Sequence, residues 1–168
     1  DSFDISTYEL ELDVTEYTYQ QLSAHARIEM EVLDDNAQDL WFDLVELSVD
    51  SVQVNEVPVA FDQTESQLHI AFPGDGWQVD SDYQIDVWYQ GSPYQDPYWG
   101  GFYFVSDYIY NLGIGLTTIP PNFGKVWYPC FDNFVERAAY TYHVTSAGGR
   151  RAHCQATMIG ETFLGGDT

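Results

Sequence analysis

Near the start of the chain, hydrophobic and polar residues alternate strictly. Tyr8, Leu10, Leu12 and Val14 fall on one face and Glu9, Glu11 and Asp13 on the other, the period-two pattern of a half-buried strand. A second run repeats it after a connection at Tyr17 to Gln21. Ala24, Ala26, Ile28, Met30 and Val32 point inward, and Ser23, His25, Arg27, Glu29 and Glu31 outward. Paired strands of this kind set outward residues such as Glu9 and Arg27 against each other, with the register left open by the sequence.

The polar turn Asp34-Asp35-Asn36 leads to short strands at Leu40-Trp41-Phe42 and at Val49, Val52 and Val54. Asn55-Glu56 then fills the two-residue slot of a tight hairpin, with Glu where Gly is usual. Val57, Val59 and Phe61 alternate, and so do Leu68, Ile70 and Phe72, before Pro73-Gly74-Asp75-Gly76 breaks the pattern. Tyr83, Ile85, Val87 and Tyr89 make another strand. From Gln90 to Gly101 glycine, proline and aromatic residues erase the period, which predicts a surface loop. Strand character returns at Phe102 to Val105, at Tyr108 to Leu112 and at Tyr140, Tyr142 and Val144. Helical spacing with caps is found nowhere. Short strands with regular turn signals predict an all-β fold, an antiparallel multi-sheet, sandwich-like domain spanning residues 1–168.

Composition narrows the function. Hydrophobic residues make up 45% of the chain, with 13 Tyr, 10 Phe and 5 Trp, enough apolar surface to order the backbone. The 27 acidic residues against 5 basic ones leave a net charge of −22, which repels phosphate backbones and anionic bilayers. Nucleic acid and membrane are thus excluded as partners, and the acidity reads as a solvated surface suited to salty surroundings. No apolar run reaches the roughly 18 residues of a membrane span. Asp1-Ser2-Phe3-Asp4 reads as a cut into a longer protein, and a secreted, periplasmic or cell-surface location fits it.

Candidate chemistry is sparse. His25, His69, His143 and His153 stand on or beside predicted strands, and none belongs to a His-Glu-x-x-His helix or to a two-residue pair on one strand face. Catalytic and metal-ligating residues are therefore expected to be absent from this chain. His153 and Cys154 are adjacent, and neighbours on a strand face opposite ways, which rules out a nucleophile and base. Asp34 to Asp39 resembles a calcium loop but lacks its Gly and distal Glu, and reads instead as a hairpin loop. Cys130 and Cys154 have no metal-site spacing. They either pair, in an oxidising compartment, for roughly 3 kcal/mol, or remain two thiols. Tyr94, Tyr98 and Trp99 offer flat rings to a sugar, the basis of an alternative reading as a stand-alone carbohydrate-binding or adhesion sandwich.

One segment carries a resemblance. Gly124-Lys125-Val126-Trp127-Tyr128-Pro129-Cys130-Phe131-Asp132, followed by the strand from Ala138 to Thr145, resembles the N-terminal domain of aminopeptidase N-like zinc metallopeptidases. The first strand from Phe3 to Val14, its partner from Ala24 to Glu31, Val52-Gln53-Val54-Asn55 and Tyr89-Gln90-Gly91 match in the same order. The resemblance implies a saddle-shaped β-domain that precedes a zinc-bearing catalytic domain on the same polypeptide, whose substrates are peptides. It assigns structural roles to Trp127, Pro129, Cys130, Phe131 and Asp132. It places Pro120, Pro121, Asn122 and Lys125 next to the substrate. The family's Gly-x-Met-Glu-Asn and His-Glu-x-x-His motifs are missing, so the resemblance implies no cofactor in this chain and zinc in the parent's catalytic domain. The family's amine-binding Gln or Glu falls at Pro120, with Asn122 the nearest polar residue. Lys125 replaces the usual Arg, and Asn133-Phe134 the usual Glu-Pro, which suggests a divergent branch.

Overall fold

The two opening alternations become the long strands β1 (Phe3–Asp13) and β2 (Leu22–Val32), joined through a 3-10 turn at Tyr17–Tyr19. They pair antiparallel, with Glu9 opposite Arg27. The computed structural model describes residues 2–34, 36–71, 76–133 and 135–165. The remaining strands are β3 (Asp39–Asp43), β4 (Ser48–Val54), β5 (Val57–Pro58), β6 (Phe61–Gln63), β7 (Gln67–Ala71), β8 (Asp82–Gly91), β9 (Gly101–Val105), β10 (Tyr108–Leu112) and β11 (Ala139–Thr145). A six-stranded sheet has the order β11-β1-β2-β8-β4-β5, a three-stranded sheet β3-β7-β6, and a hairpin β10-β9. The all-β, multi-sheet fold expected from periodicity is the one observed.

Two bulges account for breaks in the alternation. Register shifts between Ile5 and Thr7, so the inward row passes from Phe3 and Ile5 to Tyr8, Leu10 and Leu12. A second shift between Val49 and Ser51 moves β4's inward row to Val52 and Val54. Those rows meet Leu40, Phe42, Leu68 and Ile70 of the three-stranded sheet in one continuous core. Burial of these two apolar faces against each other is the main term holding the sandwich together. Asn55 and Glu56 both have positive φ, 49° and 67°, so the hairpin expected there forms with its primed-type turn despite lacking Gly.

Three expectations change. β11 pairs with β1 in parallel, Thr7 against Ala139 through Asp13 against Thr145, so the large sheet is mixed. A parallel neighbour needs a long crossover, and almost the whole chain runs between these two strands. The Asp34 turn is not a hairpin loop, because β2 and β3 belong to different sheets. The Asp34 carboxylate accepts the Asn36 amide at 2.8 Å and its side-chain amide at 3.0 Å, a turn that redirects the chain between layers. The alternation from Val57 to Phe61 is divided between sheets, β5 ending at Pro58 and β6 starting at Phe61. Phe72, the Pro73-Gly74-Asp75 turn, Asp35 and Phe134 lie outside the described residues.

Candidate functional site

The Pro-Cys-Phe-Asp segment is a joint between the three-stranded sheet and the loops beside it. Cys130 and Asp43 exchange backbone hydrogen bonds, at 2.8 and 3.2 Å, adding one rung beside β3. Phe131 stacks on Phe42 with centroids 5.2 Å apart. Asp132 Oδ1 accepts the Gly124 amide at 3.1 Å, while Oδ2 meets Lys125 Nζ at 3.0 Å. Its own amide donates to Asp43 Oδ2 at 3.2 Å. One carboxylate thereby closes the 3-10 turn Gly124–Val126 and neutralises the cation inside it. The turn is held from the other side as well: Val45 donates to the Lys125 carbonyl at 2.9 Å, and the buried Tyr89 hydroxyl donates to the Trp127 carbonyl at 3.0 Å.

From this joint the chain projects a narrow loop. Phe123 donates to the Gly113 carbonyl at 3.0 Å and Gly115 to the Pro121 carbonyl at 2.8 Å, closing a stem with Ile114 opposite Asn122. A side chain at Gly115 would strike the Phe123 ring, so glycine is required for the stem to close. The tip carries Leu116, Ile119, Pro120 and Pro121 in solvent, Ile119 fully exposed, with a cis bond at Ile119-Pro120.

Asp96 ties this loop to the aromatic one. Its Oδ1 accepts the amides of Tyr98 and Trp99 at 2.8 and 3.0 Å, and its Oδ2 accepts the Thr117 amide at 2.8 Å and the Thr117 hydroxyl. Burial raises the carboxyl's pKa, but the hydrogen bonds from Thr117, Trp99 and Tyr98 outweigh it and hold the group well below the usual carboxylate range. Gly100 has φ +115°, and a Cβ there would collide with the Ile114 carbonyl, so the two loops meet through bare backbone. Tyr98, Trp99, Ile114, Leu116 and Ile119 are exposed on these two tied loops. Tyr94 does not join them, since its ring packs edge-on against Phe123, 5.8 Å away.

The other sequence candidates are placed as follows. Pro120 and Pro121 are on the exposed tip, and Asn122 is buried in the stem, its Oδ1 without a hydrogen-bond partner among the described residues. Lys125 is committed to Asp132. Pro129 is buried behind the joint, and Trp127 is half-buried against Tyr128, Phe102 and Tyr142. The Cys130–Cys154 bridge is not formed. Cys130 is fixed in the core by its rung with Asp43, whereas Cys154 lies exposed in a stretch without strands. Burial, then the carboxylates of Asp132 and Asp43, push the Cys130 thiol well up.

No three His, Cys, Asp or Glu among the described residues stand together as a metal site. His25 stacks on Trp88 and contacts Asp86 at 2.7 Å, His69 contacts Asp39 at 2.7 Å, and His143 contacts Glu9 at 2.9 Å. Each of these imidazoles is within hydrogen-bond distance of a carboxylate on a neighbouring strand. Their carboxylate neighbours pair with them one by one rather than gathering them into a three-ligand cluster among the described residues. Asp96 escaped the sequence reading, since one aspartate among 27 acidic residues carries no mark; its position two residues before Tyr98 in an Asp-x-Tyr-Trp turn was the one available signal.

No family model matches the chain, nor does any curated protein sequence. Solved structures do. A mutant of the M1 zinc metallopeptidase of Deinococcus radiodurans, bound to a Tyr-Ser-Ala substrate, superposes with a TM-score of 0.74 at 21% identity, covering 86% of this chain and 33% of that one. Yeast LTA4 hydrolase in complex with bestatin gives 0.63 at 14% identity, with coverages of 86% and 23%. Legionella pneumophila aminopeptidase A in complex with aspartic acid gives 0.64 at 13% identity, with coverages of 85% and 16%. The chain spans a third or less of the length of these structures. Over most of its length the chain has the fold of a part of the M1 zinc metallopeptidases.

Proposed function

We propose that the chain is the non-catalytic N-terminal β-domain of a zinc aminopeptidase, exported from the cytoplasm, and that it scaffolds and partly walls the active site of a catalytic domain on the same polypeptide. That domain would bind the zinc and remove N-terminal residues from peptides. The observation that carries this reading is the match of most of the chain to a minor share of three M1 enzymes, two of them bound to a peptide or an amino acid. The loop from Leu112 to Lys125 and the Tyr98-Trp99 turn supply the wall. Their exposed apolar side chains stand in water here, on two loops that Asp96 ties together, as expected of a face that another domain covers.

The coding sequence beyond Thr168 tests the reading: it should encode Glu-Asn and His-Glu-x-x-His motifs within about two hundred residues, an ordinary domain length. The full-length product should cleave aminoacyl-coumarin substrates and lose that activity to chelators, and the 168-residue chain alone should be inert. A stop codon in place of those motifs would end it.

The exposure of Tyr98 and Trp99 favours a second reading, a stand-alone carbohydrate-binding sandwich. Glycan-array binding that is abolished by Trp99→Ala would establish it.

A further inference from the structure

We draw no further inference here: the strongest candidate, the side-chain cluster on the outer face of the six-stranded sheet where His25 stacks on Trp88 between the carboxylates of Asp86 and Glu11, has its groups paired with one another, and nothing in the structure shows what ligand or surface it would meet.

Discussion

Asp96 and Thr117 are joined twice, through the Thr117 amide at 2.8 Å and through its hydroxyl, so one aspartate in the aromatic loop sets the position of the loop that bears the exposed prolines. Asp96→Asn removes the charge from four hydrogen bonds and replaces one acceptor oxygen with a donor that faces N–H groups. The expected outcome is a domain that stays folded while protease cleavage between Leu112 and Pro121 becomes several-fold faster. The pH dependence has a definite sign. The folded carboxyl titrates below its unfolded value, near 3.9, so its stabilisation is complete above that value and is lost as pH falls through the folded pKa. Proteolysis followed between pH 6 and 3 should therefore show the wild-type loops staying closed until the pH is below the ordinary carboxylate range.

Tyr89 and Trp127 form the second tie, and it is buried. Tyr89→Phe keeps the ring and leaves the Trp127 carbonyl short of a donor, a loss of about 1–2 kcal/mol or roughly 3–6 °C in Tm for a domain of this size. Burial, then the neighbouring Cys130, raises the Tyr89 phenol well above its ordinary value. A raised folded pKa stabilises fully below the unfolded value of about 10 and is lost as pH rises through the folded one. Alkaline difference spectra should accordingly show Tyr89 ionising only together with unfolding. A smooth early titration of all the tyrosines would contradict its burial.

Where each strand buries one face, alternation exposed it in the sequence, whereas the register that sets Glu9 against Arg27 was left open there and is fixed by the β1–β2 pairing. The bulges were hidden, because one extra residue at Ser6 or Asp50 changes the row without leaving a composition signal. The parallel pairing of β11 was hidden too: period two is the same in either direction, and only the tertiary crossover decides. At the candidate site, the Pro-Cys-Phe-Asp joint was legible as a motif, but the clamp was not. Asp96 acts through amides 2, 3 and 21 residues away, and the sequence does not show which backbone groups come to surround a carboxylate.

The charge predicts a strong response to salt. Arg27 is engaged with Asp86, Lys125 with Asp132, and Arg150 lies over the Tyr17 ring while donating to the carbonyls of Ala147 and Asp107, so few cations are left to offset the other carboxylates. Self-repulsion then destabilises the folded state, and screening relieves it. Raising NaCl from 10 mM to 1 M should increase Tm by at least a few degrees, where about 1 kcal/mol corresponds to 2–4 °C. A fall in Tm over the same range would mean that the cross-strand ion pairs outweigh the repulsion.

The two cysteines separate by accessibility. Cys154 lies in the exposed stretch after β11, with burial raising its pKa, and Cys130 is 3% exposed beneath Tyr128 with its thiol pushed up much further. The thiolate is the reacting species, so both should be slow at neutral pH, and Cys130 should not react at all until the core opens. Ellman's reagent should titrate one thiol in the folded chain, faster as the pH is raised, and a second only in guanidinium. Cys154→Ser should abolish the first and leave the second. No reactive thiol in guanidinium without reductant would mean that the two sulfurs are bonded. That would require the stretch after β11 to be drawn in toward Cys130, an arrangement different from the exposed one described above.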